Sequence, residues 1–96
     1  MVTFTFVADN DLHMRVRKVA LLGASGLVAQ RFQQRLANHP WFELVAVYGS
    51  PRTAGANLEE LEWHLPEPRP DIPSMKIRSM DSLMDDVEDF EVVFSA

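Results

Sequence analysis

The chain has 96 residues, 47% of them hydrophobic and 24% charged, and a formal net charge of −5, which is the profile of one small globular domain. The acidic balance argues against nucleic-acid binding through bulk electrostatics, and no apolar run is long enough to cross a membrane. The chain contains no cysteine, which excludes disulfides, thiolate metal sites and thiol nucleophiles within it and suits a reducing, cytoplasmic location.

The first 14 residues differ in pattern from the rest of the chain. They alternate apolar and polar side chains at first, as a short strand does, and then become polar. Regular patterning resumes only after Met14. We therefore expect residues 1–14 to form a loose N-terminal extension, with Met14 as the original start, and residues 15–96 to form the domain.

A buried strand and an amphipathic helix open the predicted domain. The apolar run within Arg17–Leu22 is typical of a parallel strand that is covered on both faces. The helical spacing of Val28, Phe32 and Leu36 predicts a helix over residues 27–38, with these three side chains on its buried face. The helix should end at its last residue, an asparagine that tolerates a left-handed cap.

The remaining predicted elements are shorter. They are a strand over 42–48, a loop over 49–55, a helix over 57–64, a strand over 74–78, a helix over 81–86 with Ser79 or Asp81 as N-cap, and a strand over 90–94. The alternation of strands and helices predicts an α/β fold with a parallel sheet. In the usual strand order 3-2-1-4 the last strand is an open edge, which would expose Val92, Val93 and Phe94 and favour self-association.

The stretch VALLGASGLVAQRF places glycines between the first predicted strand and the first predicted helix. Such a turn points backbone N–H groups at an anion above the helix N-terminus, where the helix dipole adds about half a positive charge. Gly23 would permit the tight turn, Gly26 would let a pyrophosphate approach closely, and Ser25 could bond a phosphate oxygen. Ala29 stands in place of a third glycine and adds one methyl group where helix packs on strand. The alternative is a strand-to-helix turn without a ligand.

The loop after the second predicted strand indicates which dinucleotide would bind. An NAD site usually has an acid at that strand's carboxyl end, about 20 residues beyond the first glycine, to bind the ribose 2′-hydroxyl. Glu43 has that separation from Gly23 but lies at the opposite end of the strand. Ser50, Arg52 and Thr53 stand at the expected end, and arginine binds phosphate oxygens bidentately. We therefore predict NADP, the alternative for Arg52 being a solvated surface side chain.

These predictions together describe a partial Rossmann-like parallel sheet of about four strands with flanking helices. No residue qualifies as a metal-binding or catalytic candidate. His13, His39 and His64 lack metal-ligand spacing, and the acidic run over residues 85–89 lacks the spacing of a metal-binding loop.

Four stretches of the chain together resemble the N-terminal part of aspartate-semialdehyde dehydrogenase, most closely the branch found in archaea and fungi. They are KVALLGASGLVAQRF, LANHPWFELVAV, GSPRTAG and FEVVFSA. Related acyl-CoA reductases, such as archaeal malonyl-CoA reductase, are similar over the same half. The chain departs from the family pattern at Ala29, where the family usually has glycine, and over residues 57–78.

The resemblance implies the NADP-dependent reductive dephosphorylation of aspartyl phosphate, which serves lysine, threonine and methionine synthesis. It also implies three groups of cofactor-binding residues. On the family pattern, the pyrophosphate is held by Gly23, Ala24, Ser25, Gly26, Leu27 and Val28, the 2′-phosphate by Ser50, Arg52 and Thr53, and the end of the last strand, Ser95 and Ala96, lies beside the cofactor.

The family's catalytic nucleophile is a cysteine in a later domain, and this chain contains no cysteine. We therefore expect the chain to be a truncated NADP-binding part that is inactive alone. Its expected partners are NADP and either a second copy in a homo-oligomer or a missing catalytic half. The alternative functions are a nonenzymatic dinucleotide-binding or interaction module, or a fragment of a related acyl-CoA reductase such as malonyl-CoA reductase.

Overall fold

In the computed structural model, residues 2–5 and 16–96 are described, and they form five strands, one α-helix and two 3₁₀ helices. In chain order these are β1 (Val2–Thr5), β2 (Arg17–Leu22), α1 (Leu27–Leu36), β3 (Phe42–Gly49), a first 3₁₀ helix (Leu58–Glu60), β4 (Ile77–Ser79), a second 3₁₀ helix (Met80–Asp89) and β5 (Val92–Ser95).

The strands form a single sheet in the order β1-β5-β2-β3-β4. Strands β2, β3, β4 and β5 pair in parallel and confirm the predicted α/β fold and strand order. Because successive residues of a strand face opposite sides of a sheet, Val19 and Leu21 of β2 enter the core on one face, whereas Ala20 enters the core on the other. All three side chains are fully buried, as the continuous apolar run predicted.

The predicted open edge at the last parallel strand is wrong. Strand β1 pairs antiparallel with β5, from Val2 opposite Ser95 to Thr5 opposite Val92. Val92 and Val93 are buried rather than exposed, because Val92 belongs to the core on one face of the sheet and Val93 to the core on the other. The extension therefore supplies an edge strand over Val2–Thr5, while the remainder of it, including Met14 and His13, lies outside the described residues.

Phe94 is half-buried and belongs to an aromatic group above the sheet. Its ring stacks on Phe32 of α1 with centroids 5.2 Å apart, and it meets Phe42 of β3 edge-on at 5.9 Å. Aromatic pairs at these separations add to the stabilisation from area burial alone. The group therefore ties α1 to β5 and β3.

The buried face of α1 agrees with the prediction in part. Leu36 is buried and Phe32 packs half-buried against the core, as predicted, but Val28 is 53% exposed. The buried residues of the helix are Ala29, Gln30, Gln33 and Leu36. Successive positions in this set are one to three residues apart, so the four side chains form one stripe along the helix, which rests on the sheet. Two of them are glutamines whose polar groups bond to backbone atoms, so a search for apolar spacing alone misses them.

The helix is also shorter than predicted, ending at Leu36 rather than at residue 38. Asn38 has a φ of 57°, which confirms the left-handed conformation expected of that asparagine.

The second half of the chain contains less α-helix than predicted. The predicted helix over 57–64 is a single 3₁₀ turn, Leu58–Glu60, and the predicted helix over 81–86 is the 3₁₀ helix Met80–Asp89. The Ser79 side chain accepts a hydrogen bond from the Asp81 N–H at 3.2 Å, so Ser79 is the N-cap. The strands predicted over 74–78 and 90–94 occupy Ile77–Ser79 and Val92–Ser95.

The second 3₁₀ helix is joined to the sheet by a buried tyrosine. The Tyr48 hydroxyl donates a hydrogen bond to Asp86 Oδ2 at 2.6 Å, and Arg78 pairs with the same carboxylate oxygen at 3.2 Å. Burial and the bond to Asp86 raise the pKa of Tyr48 from 10.0 to about 12. The same hydrogen bond lowers the pKa of Asp86.

We expect the free energy of unfolding to fall as pH rises from 10.0 towards about 12. In this range the tyrosine of the unfolded chain loses its proton while that of the folded chain keeps it, which progressively favours the unfolded state. Below pH 10.0 the tyrosine is protonated in both states, so its full contribution to the free energy of unfolding is present. Tyr48 is the chain's single tyrosine, so tyrosinate absorbance follows its titration directly. Asp86→Asn should lower the pKa of Tyr48 without returning it to 10.0, because burial remains. A wild-type midpoint at 10.0 would contradict this assignment.

Candidate functional site

The turn between β2 and α1 requires glycine at its first position. Gly23 has a φ of 118°, and its N–H donates to the Tyr48 carbonyl at 2.7 Å. A Cβ at Gly23 would lie 3.3 Å from the Ala96 Cβ. Ala96 is held beside the turn because its N–H donates a hydrogen bond to the Leu22 carbonyl. Backbone conformation and close approach therefore both favour glycine here.

Gly26 is different, because the fold itself places no demand on it. Its φ of −72° and ψ of 163° are open to any residue, and a Cβ there would meet nothing within 4 Å. It is the N-cap of α1, and no side chain caps that end. A glycine without a packing reason at a helix N-terminus leaves the backbone open to a ligand.

Ala29 occupies the position of the absent third glycine and is 2% exposed. Its Cβ lies 3.8 Å from the place that a Cβ on Gly23 would take. The methyl group is therefore buried where the helix begins to cover the turn, and it leaves ordinary contact distance to that place.

The loop after β3 is folded around a buried threonine. The Ser50 carbonyl accepts hydrogen bonds from the N–H groups of Thr53 and Ala54, each at 2.9 Å, and from the Thr53 hydroxyl at 3.3 Å. Thr53 is 8% exposed, whereas Ser50 and Arg52 are exposed. Thr53 therefore supports the loop, and Ser50 and Arg52 present their side chains to solvent.

The two loops border a common cavity of about 460 Å³, which is within the size range of small-molecule sites. The parallel strands β2, β3 and β5 bring their carboxyl ends to this edge of the sheet. The cavity is lined by Gly23, Ala24, Ser25, Gly26, Leu27, Val28, Ala29, Gly49, Ser50, Thr53 and Ala96.

Most of the predicted site residues therefore lie together, with two exceptions. Arg52 lies on the bordering loop, and Ser95 lies one residue before the lining residue Ala96. Gly49 lines the cavity but was not predicted. Its position between the predicted strand over 42–48 and the Ser-Pro-Arg-Thr stretch was the available signal.

The chemistry of the lining suits an anion. Among the described residues, no aspartate or glutamate side chain lines the cavity, and the first turn of α1 contains no acidic residue. The N-terminus of α1 opens into this space and carries partial positive charge from the helix dipole. Among the described residues there is no group of three or more histidine, aspartate and glutamate side chains placed to hold a metal ion.

His39 and His64, which lack metal-ligand spacing in the sequence, have other contacts. His39 Nδ1 accepts a hydrogen bond from the Trp41 N–H at 3.1 Å, and the His64 N–H donates to Gln30 Oε1 at 2.7 Å.

Within residues 2–5 and 16–96, no helix is both long and apolar enough to span a membrane.

Comparison with characterised proteins gives consistent relatives. The chain is 40% identical over 80 residues to aspartate-semialdehyde dehydrogenase of Archaeoglobus fulgidus, an alignment that covers 81% of this chain and 22% of the relative. It is 49% identical over 55 residues to the Cryptococcus neoformans enzyme, covering 56% of this chain and 15% of the relative. The chain therefore spans about a fifth of the length of such relatives.

A solved structure agrees in fold. Aspartate-semialdehyde dehydrogenase from Candida albicans, crystallised with NADP, superposes with a TM-score of 0.59 and 33% identity, covering 68% of this chain and 19% of that one. The family described as "Semialdehyde dehydrogenase, NAD binding domain" matches residues 18–96. The family resemblance in the sequence is thereby confirmed, and the chain belongs to the semialdehyde dehydrogenase NAD-binding domain family.

Proposed function

We propose that this chain binds NADP as the cofactor-binding part of an aspartate-semialdehyde dehydrogenase-like oxidoreductase. The observation that carries the proposal is the shared cavity, in which a glycine turn at a helix N-terminus faces a loop with an exposed arginine and no acidic side chain of the described residues lines the wall. A pyrophosphate suits the first loop and a ribose 2′-phosphate suits the second.

Each loop has a defined task in this proposal. The turn from Gly23 to Val28 holds the pyrophosphate, with the N–H groups of Ser25 and Gly26 as donors because that of Gly23 is bonded to the Tyr48 carbonyl, and Ser25 adds a hydroxyl. Ser50 and Arg52 take the 2′-phosphate, while Thr53 holds their loop through its bond to the Ser50 carbonyl. Ser95, the last residue of β5, and Ala96 after it lie beside the cofactor. The Ala96 N–H donates a hydrogen bond to the carbonyl of Leu22, which directly precedes the glycine turn.

The reaction we propose for the whole enzyme is the reductive dephosphorylation of aspartyl phosphate, in the synthesis of lysine, threonine and methionine in the cytoplasm. NADPH would supply the hydride for that reduction. This chain's residues bind and orient the cofactor, and the acyl transfer needs a nucleophile that these 96 residues, which include no cysteine, do not supply. We therefore assign the acyl chemistry to a catalytic half, with homo-oligomer formation as a further proposal.

Arg52→Ala is expected to lower NADP affinity about tenfold and leave NAD affinity unchanged, because only NADP carries the phosphate that the guanidinium pairs with. Calorimetric titration of wild type and variant with both dinucleotides measures the difference. Arg35→Ala removes another exposed arginine, from the last turn of α1, and serves as the charge-matched control. Equal wild-type affinities for NAD and NADP would refute the NADP assignment.

A further inference from the structure

Two buried glutamines of α1 contact the carbonyl side of the glycine turn. Gln33 is 2% exposed, and its Nε2 donates a hydrogen bond to the Ala24 carbonyl at 3.2 Å. Gln30 is 1% exposed, and its Nε2 lies 3.4 Å from the Ser25 carbonyl. Both glutamines belong to the buried stripe of α1, and neither lines the cavity that the same turn borders.

The geometry of the peptide unit links these contacts to the cavity. The described peptide bonds are all trans, so the carbonyl and the N–H of each unit point in opposite directions. Holding the Ala24 carbonyl towards the buried face of α1 therefore turns the Ser25 N–H the other way. Within the described chain that N–H has no hydrogen-bond partner, and neither has that of Gly26.

Gln30 and Gln33 have different main contacts. The Gln30 amide makes its shortest bonds to another segment, donating to the Glu62 carbonyl and accepting from the His64 N–H, both at 2.7 Å. Its contact with the turn is longer, at 3.4 Å. Gln30 therefore fastens residues 62–64 to the helix, and the hydrogen bond to the turn is made chiefly by Gln33.

We propose that Gln33 is a positioning residue that presets the Ser25 N–H, and through it the glycine turn, for a phosphate oxygen. This inference rests on the proposed cofactor function and deepens it. A buried amide is costly unless it is bonded, so its presence on the sheet-facing stripe of α1 is accounted for by the carbonyl it holds. A turn fixed before the ligand arrives loses less conformational freedom on binding.

The test compares three ligands that touch different parts of the site. Gln33→Met keeps the side-chain length and removes the donor, and it should lower the affinities for NADP and ADP about tenfold. The affinity for adenosine 2′-monophosphate, whose phosphate belongs at the Arg52 loop, should not change. Gln34→Met makes the same substitution one position along α1, at a side chain that bonds only to Arg31 and Glu67 among the described residues, and should change none of the three.

Parallel loss of all three ligands by Gln33→Met, or loss of none, would overturn the inference. A ligand-free measurement separates this result from the cofactor proposal. NMR relaxation of the Ser25 and Gly26 amides should report a more mobile turn in Gln33→Met than in Gln34→Met, whether or not NADP binds. An unchanged turn would refute the positioning role even if wild type binds NADP. If Gln33→Met does not fold, Gln33→Leu removes the same donor with another uncharged side chain.

Discussion

Gly26→Ala is expected to lose most NADP binding and to keep the stability of the wild-type chain. A Cβ at this position meets nothing within 4 Å, and the backbone angles suit alanine. The change in unfolding free energy should therefore stay within about 1 kcal/mol. In the proposed complex the pyrophosphate lies against this backbone, so the methyl group would take the space of a phosphate oxygen and weaken binding at least about tenfold.

Calorimetric titration with NADP and urea unfolding of the same samples separate these two effects. Gly26→Ser provides a graded comparison, since its side chain is larger but it caps a helix N-terminus better than alanine. Wild-type NADP affinity in Gly26→Ala would place the pyrophosphate away from this turn and contradict the proposed function.

Gly49→Ala should have the opposite result, a large loss of stability. A Cβ at Gly49 would lie 2.8 Å from Ile77 Cγ2 and inside contact distance of Thr53 Oγ1. Ile77 is 2% exposed and Thr53 8%, so neither side chain can move into solvent without breaking the packing between β3, β4 and the loop. Overpacking of this kind typically costs about 1–3 kcal/mol.

Urea unfolding of Gly49→Ala measures the cost, and a double-mutant cycle with Thr53→Ala identifies its origin. Removing Oγ1 should recover part of the lost stability, and the contact with Ile77 should retain the rest. Strictly additive single effects would show that the two residues do not interact. The contrast with Gly26→Ala is the useful result, because both glycines line one cavity and only one of them is required for packing.

The elements near the cavity could be predicted because their signals are local. The strand predicted over Arg17–Leu22 has the observed bounds of β2. An apolar run typical of a strand buried on both faces can be recognised without knowledge of its neighbours. The glycine turn and the loop with Arg52 follow from where strands end. Parallel strands then bring these two loops to one edge of the sheet without further information.

The errors have a common physical cause, which is that burial depends on what packs against a residue. Val28 has the right spacing for a core position but is 53% exposed, while Gln33 is buried because a backbone carbonyl of the turn bonds it. The 3₁₀ helices follow the same rule. Met80–Asp89 is held to the sheet by the bond between Asp86 and Tyr48, a contact between distant parts of the chain.

The sequence by itself determined the parallel α/β order, the family and the two loops that form the cavity, because each depends on short patterns of apolar and glycine residues. Only the tertiary structure decided the rest. It placed β1 against β5, which gives the last parallel strand a neighbour on both sides, and it packed Thr53 beside Gly49, which has no side chain. It also placed Gln33 behind the glycine turn. Each of these depends on atoms from separate segments meeting at contact distance, which no local spacing encodes.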